Sequence, residues 1–205
     1  MPCFLEAARR TGAEAFDCLE LGCSAGLNLL WDRYGYEYAA GSFDGRPVFR
    51  GEERGKPVPV GKLPRVRSRV GVDLAPPDLR TDEGVRLLKS FVWADQASRL
   101  ADLDAAIEVW RREPPEVVVG DMVEELPALL QRRSDAPLVV WHTAALNFLP
   151  RERQALVRGL IADAGVVFVE TWQPGDGSQD YYGLYVDGDE VARAEFHGAR
   201  IEWLV

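Results

Sequence analysis

The chain has 205 residues, of which 47% are hydrophobic and 28% are charged, and its formal net charge at pH 7 is −9. This length and composition are typical of one globular domain, residues 1–205, with a sizeable core. The negative charge argues against a nucleic-acid partner, because sequence-independent binders carry a basic surface. The apolar runs are too short to span a membrane and the N-terminus lacks a basic signal region, so we expect a cytoplasmic protein with no membrane partner.

The first predicted elements are a helix and a buried strand. Apolar residues recur at helical spacing between Pro2 and Arg10, and Thr11 and Gly12 end that helix. The apolar run from Phe16 to Leu21 then indicates a parallel strand covered on both faces. Because the chain begins almost at this strand, we expect the core of a longer protein or a shortened form of one, without an N-terminal cap.

A glycine-bearing turn follows the strand. Gly22 and Gly26 bracket this turn, where a side chain would obstruct close approach of the backbone to a ligand. Four apolar residues between Leu27 and Tyr34 then follow the i, i+3, i+4, i+7 pattern of an amphipathic helix. A strand, a glycine turn and a helix in this order predict a nucleotide-type site, with backbone amides directed at a cleft.

The spacing of the glycines distinguishes between classes of nucleotide. A dinucleotide fingerprint requires glycine at its first, third and sixth positions, but counted from Gly22 the third position is Ser24 and the sixth is a leucine. The stretch Leu19–Gly26 instead resembles motif I of class I S-adenosylmethionine (SAM) methyltransferases. There an acidic residue, here Glu20, ends the first strand, and glycines follow at alternate positions, the middle one being replaced here by Ser24. A plain packing turn is the alternative.

The three cysteines, Cys3, Cys18 and Cys23, show no metal-ligand spacing. An odd, unpatterned set favours reduced thiols in a cytosolic protein. Cys23 lies in the glycine turn and is interpreted as a small, partly buried residue, because no base partner lies near it in sequence to make it a nucleophile.

An insertion is predicted over residues 35–62. Tyr34, Tyr36 and Tyr38 alternate with polar or small residues, which is strand periodicity, and Asp44-Gly45 is a hairpin turn signal. We interpret the segment as an inserted β-hairpin or flap between the first helix and the second sheet strand. It either covers a substrate or is a structural ornament.

The second sheet strand is predicted over residues 69–74, after a basic cluster, Arg65–Arg69, that is interpreted as its solvated start rather than as a phosphate or RNA patch. Asp73 lies at the carboxyl end of the strand. A carboxylate there offers two oxygens to the vicinal hydroxyls of a ribose. The alternative is a strand-terminating turn residue.

Two helices are predicted next, the first capped by Thr81 and the second with apolar residues from Leu100 to Trp110. Asp95, between them, is interpreted as a helix cap. The third strand, residues 117–122, ends in Asp121 and Met122. This pair suits an adenine pocket, with a carboxylate for the exocyclic amine and a thioether against the ring.

The fourth strand, residues 138–143, ends in His142 and Thr143. An imidazole that titrates near neutrality can take a proton from an oxygen or nitrogen nucleophile, so His142 is our candidate catalytic residue. The alternative is a hydrogen-bonded strand-end residue that shapes the pocket beside Trp141. A helix opened by Pro150, a fifth strand over residues 166–171 and antiparallel strands from residue 183 onward complete the predicted elements.

The predicted order of elements matches an α/β fold of the Rossmann-like class I methyltransferase type, with a mostly parallel sheet, antiparallel C-terminal strands and the inserted hairpin. The whole chain also resembles a bacterial family of unknown function that is described as methyltransferase-like. The resemblance covers nearly all residues and rests on six stretches: Leu19–Asn28, Asp32–Tyr36, Phe91–Gln96, Gly120-Asp121, Val140–Thr143 and His197-Gly198. It implies a fold and a SAM cofactor but no substrate, and members usually carry a further helical N-terminal region.

We therefore expect a SAM-dependent methyltransferase that acts on a small molecule or other unknown substrate, without a metal. The cofactor-binding residues would be Glu20, Gly22, Ser24, Gly26, Asp73, Asp121 and Met122, and the catalytic residue would be His142. The alternative is a non-catalytic SAM-binding or protein-interaction module on the same fold. A nicotinamide oxidoreductase comes third, because Ser24 and Leu27 break the dinucleotide fingerprint.

Overall fold

The computed structural model describes residues 1–93, 96–132, 134–173, 180–195 and 199–205. Within these ranges the α-helices are α1 (Pro2–Thr11), α2 (Asp82–Ser90), α3 (Ala97–Arg112), α4 (Met122–Leu129) and α5 (Arg151–Ala164). The strands are β1 (Ala15–Leu21), β2 (Gly35–Tyr38), β3 (Gly41–Phe43), β4 (Val48–Arg50), β5 (Glu52–Gly55), β6 (Arg65–Asp73), β7 (Glu116–Val119), β8 (Leu138–Thr143), β9 (Val167–Trp172), β10 (Tyr181–Val186), β11 (Asp189–Glu195) and β12 (Arg200–Trp203). Two 3₁₀ helices, Leu27–Arg33 and Ala145–Phe148, follow β1 and β8.

One nine-stranded sheet forms the centre of the molecule, in the order β5-β12-β11-β10-β9-β8-β1-β6-β7. Strands β9, β8, β1, β6 and β7 run parallel to one another. Strands β10, β11 and β12 continue the sheet as an antiparallel meander, and β5 adds to its edge parallel to β12. This mixed α/β architecture, with its mostly parallel sheet, is consistent with a Rossmann-like fold. The predicted antiparallel strands at the C-terminal end are confirmed.

Alternation along β1 divides the core between the two faces of the sheet. Cys18 is directed at a cluster that includes Phe4 of α1 and Trp31 of the first 3₁₀ helix, whose rings stack with centroids 4.2 Å apart. Leu19 is directed at the opposite cluster, to which α4 and α5 contribute, for example through Ile161. Successive strand residues point to opposite faces, so each face of the parallel strands is covered by helices, as a buried parallel sheet requires.

The predicted helix after the glycine turn is a 3₁₀ helix rather than an α-helix. It has seven residues, and Leu30 within it has non-helical angles of φ −96° and ψ 18°. The buried residues in it are Leu29, Leu30 and Trp31, three in succession, rather than an amphipathic stripe. This short, kinked element buries its centre and exposes Asn28 and Arg33 nearer its two ends. An i, i+3, i+4 pattern of apolar residues does not distinguish it from an α-helix.

The insertion is a three-stranded sheet, and the predicted hairpin turn at Asp44-Gly45 is wrong. Its order is β3-β2-β4, so β3 pairs with β2 across residues 39–40, while Asp44-Gly45 carries the chain across to the far side of β2. Gly45 is required for a different reason: a side chain there would overlap the backbone of Arg33 and Tyr34. The glycine therefore allows close approach of two backbone segments rather than a tight hairpin turn.

Several element boundaries differ from the sequence prediction. Strand β6 begins at Arg65, so the basic cluster is part of the strand, and β7 ends at Val119, before Asp121. The predicted bounds of β8 and the cap at Thr81, which accepts a hydrogen bond from the Gly84 amide, are confirmed. The predictions for Asp95 and for His197-Gly198 lie outside the described residues.

Candidate functional site

The carboxyl ends of the parallel strands lie along one edge of the sheet, which we call the carboxyl edge: the C-terminal ends of β1, β6, β7, β8 and β9 and the residues that follow them. The chain passes from β1 to β6 and β7 on one side and then returns to β8 and β9 on the other. Strand order therefore reverses between β1 and β8. Ligands of open α/β sheets bind at such a switch point, outside the carboxyl ends of the strands.

The predicted site residues are divided between the two faces of the sheet. Glu20 is in register with Trp141 of β8, so the two share a face, whereas His142 is the next residue and points to the other face. His142 is in register with Glu170 of β9. The structure thus brings the predicted acid of motif I and the predicted base to the same edge but not to the same side.

Glu20 is a buried carboxyl group with 1% of its surface exposed. Its Oε1 accepts a hydrogen bond of 3.1 Å from Asn28 Nδ2, while its Oε2 has no partner among the described residues. Burial raises the pKa of Glu20 to about 8, and the negative charge of Asp73 acts in the same direction. Glu20 is therefore mainly protonated at neutral pH, because desolvation disfavours its charged form.

The amides of the glycine turn bond to the protein itself. The Gly22 amide donates to the Val72 carbonyl at 2.8 Å and the Gly26 amide to the Cys23 carbonyl at 2.8 Å. The Ser24 amide donates to Asp73 Oδ2, also at 2.8 Å. The turn is consequently tied to the end of β6, and Asp73 holds it there.

Both glycines of the turn are packed against side chains. A side chain at Gly22 would overlap Ala145 of the second 3₁₀ helix, and one at Gly26 would lie 2.9 Å from Pro115 Cγ. Their φ angles are 68° and 81°. Ser24, at the position of the middle motif glycine, has a φ of 52°. All three therefore occupy the left-handed region in which glycine is favoured, so the motif spacing reflects backbone geometry.

Asp73 and Asp121 each cap backbone amides at the carboxyl edge. Asp73 Oδ1 accepts from the Ala75 amide at 3.0 Å, besides its bond to Ser24. Asp121 is the N-cap of α4, where its Oδ1 accepts from the Val123 amide at 2.8 Å and pairs with Arg153 at 2.6 Å. Each carboxylate oxygen can accept two hydrogen bonds, so both residues retain acceptor capacity.

Met122 begins α4 and lies beside the turn. Its Cε is 3.4 Å from the point that a side-chain carbon at Gly22 would occupy. It packs partly buried against the cluster that contains Leu21 and Leu146. The structure therefore brings Gly22, Met122 and the second 3₁₀ helix together at the carboxyl edge.

His142 belongs to a polar cluster on the α5 side of the sheet. Its side chain has no exposed area, and its Nε2 lies 3.3 Å from Glu170 Oε2. Arg158 donates to the same oxygen through Nε and Nη2 at 2.9 and 2.7 Å, and its guanidinium lies 4.8 Å from the centre of the Trp172 ring. Burial raises the pKa of Glu170, but the bonds from His142 and Arg158 outweigh it and leave the pKa below its usual value.

The ionised Glu170 constrains the nearer ring nitrogen of His142. A carboxylate only accepts, so Nε2 of His142 donates to it, and Nδ1 has no partner among the described residues. Glu170 and Arg158 were not predicted as site residues. The position of Glu170 near the end of the fifth strand was a usable signal, but only the register of β8 and β9 pairs it with His142.

Three large apolar side chains are exposed at the carboxyl edge. Leu74 follows β6 and is 69% exposed, Val119 ends β7 and is 69% exposed, and Phe148 ends the second 3₁₀ helix and is 89% exposed. The sequence analysis assigned no role to them. Exposed apolar side chains beside carboxylates at a switch point are consistent with a ligand site, which combines apolar surface with a few polar groups.

The cysteines are free and buried, as predicted. Burial raises the pKa of the Cys3 thiol to about 11 and that of Cys18 to about 12, and it raises the pKa of Cys23 further. A nucleophilic role for Cys23 is disfavoured, because the thiolate is the reactive form. Among the described residues no group of three or more His, Cys, Asp or Glu side chains is placed to hold a metal ion.

The fold and the edge together define an α/β protein with a mostly parallel sheet, consistent with a Rossmann-like fold, whose strand order reverses between β1 and β8. In the described part of the chain, every helix is too short or too polar to cross a membrane. Residues 1–203 match a family described as "Uncharacterized protein conserved in bacteria (DUF2332)", and the chain belongs to that family. The predicted resemblance to a bacterial family of unknown function is thus confirmed, although this description does not mention methyltransferases. No curated protein matches the chain.

Proposed function

We propose that this protein is a SAM-dependent methyltransferase, with the cofactor at the carboxyl edge and a small-molecule or other unknown acceptor. The observation that carries the proposal is the placement of Glu20 and Asp73 near the ends of β1 and β6, and of Asp121 just beyond the end of β7, three strands that are neighbours in the sheet. In the class I methyltransferase fold, which the sequence resembles, these strand ends surround the methionine, ribose and adenine parts of the cofactor. We propose in addition that the sheet has the class I methyltransferase fold.

The residues at the edge fit such a ligand in two respects. Asp73 uses one acceptor site on each oxygen for a backbone amide, so further sites are available to a vicinal diol. Leu74 follows Asp73 in the chain, and Val119 is in register with Asp73 on the neighbouring strand. Both side chains are exposed and supply apolar surface for a purine ring.

Glu20 and the glycine turn contribute less directly. The orphan Oε2 of Glu20 is a polar atom that a ligand can satisfy, but the residue is 1% exposed, so contact requires movement of the turn. Gly22, Ser24 and Gly26 shape the backbone that places the Ser24 amide on Asp73. We assign them the role of holding the ribose carboxylate in position.

The bound cofactor would supply an electrophilic methyl group. Transfer to an oxygen or nitrogen requires alignment of the acceptor and removal of its proton. His142 carries an imidazole, a group that can act as a base, but its side chain has no exposed area, so an acceptor reaches it only if the surrounding structure opens. The alternative role of a strand-end residue is favoured by this burial.

Isothermal titration with SAM, S-adenosylhomocysteine and NAD tests the proposal. We expect the first two to bind and NAD not to bind. Asp73→Asn should weaken SAM binding about tenfold or more, the cost of a lost charged hydrogen bond. Asp187→Asn is the matched control, because Asp187 also accepts a backbone amide, from Phe168 at 2.8 Å, but lies beyond the opposite end of β9. Absence of SAM binding, or an equal loss in both variants, would contradict the proposal.

A non-catalytic SAM-binding or protein-interaction module is the second candidate. It is favoured by the complete burial of His142 and by the turn amides that bond to Val72 and Cys23 rather than to a cleft. Binding of SAM without methyl transfer to any acceptor in a screen supports this candidate. Binding of NAD in the same titration supports the third, a nicotinamide oxidoreductase.

A further inference from the structure

A concave site lies away from the ends of β1, β6 and β7, between the β3–β4 loop and the C-terminal end of α3. This cleft has a volume of about 720 Å³, which is within the range of small-molecule sites. The charged residues and the glycine that line it are Arg33, Asp44, Gly45, Arg46, Arg112 and Glu113. It thus holds three arginines and two carboxylates, a net positive charge in a chain whose formal charge is −9.

Arg33 and Glu113 neutralise each other. Arg33 donates to both Glu113 oxygens, at 2.8 and 2.7 Å, and to Asp32 at 2.6 Å. Arg69 also binds Asp32, at 2.7 and 3.1 Å. The bonds from Arg33 hold the pKa of Glu113 below its usual value. These four side chains form a balanced network, so the charge that is left over in the cleft belongs to other residues.

That remaining charge comes from Arg46 and Arg112. Both are exposed, and neither has a carboxylate partner in the part of the chain that the structure describes. Asp44 and the negative C-terminal end of the α3 dipole, beside Arg112, reduce the positive potential of the cleft. Two guanidinium groups against one carboxylate leave donor forks available for the planar oxygens of a carboxylate or a phosphate.

The backbone that carries these arginines is fixed on both sides. The Arg46 amide donates to the Arg33 carbonyl at 3.3 Å, and the Gly35 amide donates to the Pro47 carbonyl at 2.9 Å. On α3, Trp110 Nε1 donates to the Ala25 carbonyl at 2.7 Å, two residues before Arg112. The two guanidinium groups therefore extend from a preorganised frame, which reduces the entropy lost on binding.

We propose that this cleft binds the oxyanion of a small molecule, a phosphate or carboxylate group, through Arg46 and Arg112. The site is independent of the cofactor site. It also gives a role to the stretch Asp32–Tyr36, which carries the family resemblance but is not used at the carboxyl edge: that stretch contributes Arg33 and the backbone against which Gly45 packs.

NMR titration of the full chain with inorganic phosphate, and separately with succinate, tests the proposal, with ionic strength held constant by sodium chloride and the Gly45 amide as the reporter. We expect saturable shifts with a Kd of about 1 mM or tighter. Arg46→Gln and Arg112→Gln should each weaken binding about tenfold. Asp44→Asn should strengthen binding, because it removes the opposing carboxylate. Arg151→Gln, an exposed arginine on α5, is the charge-matched control and should have no effect.

The two anions identify the source of the oxyanion: saturation by phosphate alone indicates a phosphorylated ligand, by succinate alone a carboxylate ligand, and by both a general oxyanion site. Shifts that do not saturate with either anion overturn the proposal. An effect of Arg151→Gln equal to that of Arg112→Gln also overturns it, since binding would then follow overall charge. Because the substituted side chains are exposed, we expect the variants to fold. Asp44→Asn also tests the site by a gain of anion affinity, which a damaged fold would not produce.

Discussion

Glu6 and Glu20 are both 1% exposed, yet their pKa values shift in opposite directions. The hydrogen bond from Arg9 is the main cause of the lowered pKa of Glu6, with Arg10 adding to it. Glu20 has no cationic partner among the described residues, so burial dominates and raises its pKa to about 8. The two arginines thus outweigh the desolvation of Glu6, whereas the hydrogen bonds to Glu20 do not outweigh its burial.

We predict that Glu20 makes the protein less stable as pH rises. Its pKa is about 8 in the folded state and near its usual value of 4.5 when unfolded, so the folded state binds more protons between these values. The free energy of unfolding should therefore fall from about pH 4.5 to about pH 8 and then level off. Glu20→Gln should remove this slope and stabilise the protein by several kcal/mol at pH 9, at about 1.4 kcal/mol per pKa unit.

Urea unfolding of both proteins between pH 5 and pH 9 measures this effect. Glu6→Gln is the opposite-sign control, because a lowered pKa stabilises the ionised form above pH 4.5, and this variant should be less stable at pH 7. If the free energy of unfolding depends on pH in the same way for Glu20→Gln and for the parent protein, Glu20 is ionised in the folded state.

Ser24 and Gly26 differ in how they tolerate substitution. Ser24 has the φ of a left-handed residue, so Ser24→Gly should change the free energy of unfolding by less than about 1 kcal/mol. Gly26→Val should destabilise the fold by more than that, because its side chain meets Pro115 at a φ of 81°. Thermal unfolding distinguishes the two. A fully stable Gly26→Val variant would mean that the turn has room for a side chain.

His142→Ala tests the catalytic prediction. Once an acceptor has been found by screening, His142→Ala should lower turnover about 10²-fold or more, because a general base is lost, while SAM affinity should be unchanged. Circular dichroism confirms that the variant is folded before rates are compared. If turnover is unaffected, or SAM binding is lost with it, His142 is a structural partner of Glu170.

At the scale of elements, Asp121 has a measurable structural role at the start of α4. Asp121→Ala removes both the N-cap and the Arg153 pair and should cost about 1–2 kcal/mol of stability, as cap deletions do. Asp121→Asn keeps a capping oxygen and should cost less than about 1 kcal/mol, the value of an ion pair at the protein surface; this pair is partly buried. Chemical denaturation measures both, with the cap deletion Thr81→Ala for comparison. Equal losses in the two Asp121 variants would make the ion pair the dominant interaction.

The elements that sequence periodicity predicted well are those whose environment is uniform along their length. Strand β8 is buried at five successive residues, so its apolar run marks its bounds directly. The predicted helix after Gly26 is present but is a 3₁₀ helix, and the predicted hairpin turns at residues 39–40 rather than at Gly45. In both, the apolar and glycine signals come from packing against distant chain, which a local pattern does not contain.

For the whole molecule, stability should be graded from the centre of the sheet to its edges. Strand β1 is bonded on both sides, to β8 and β6, and its residues from Phe16 to Leu21 are buried. Strand β7 pairs with β6, ends the sheet and leaves Val119 69% exposed. Hydrogen exchange measured by mass spectrometry should therefore be slowest in β1 and β8 and fastest in β7 and β5. Equal protection of β7 and β1 would contradict this gradient.

Local sequence patterns are enough to predict the alternation of apolar strands and helices, the glycine turn after β1 and the acids at or just beyond the ends of β1, β6 and β7. These follow from local hydrophobic patterning and backbone geometry, which act within a few residues. The same local reasoning identified His142 and Asp73 as polar residues at the ends of buried runs.

The tertiary structure alone decided what those polar residues contact. The register between strands places Glu20 and His142 on opposite faces, pairs His142 with Glu170 and brings Ser24 onto Asp73. Register depends on the packing of both faces against helices distant in sequence, so no window of the chain contains it. For the same reason the arginine-lined cleft, formed by Arg46 and Arg112 from segments 66 residues apart, exists only in the folded chain.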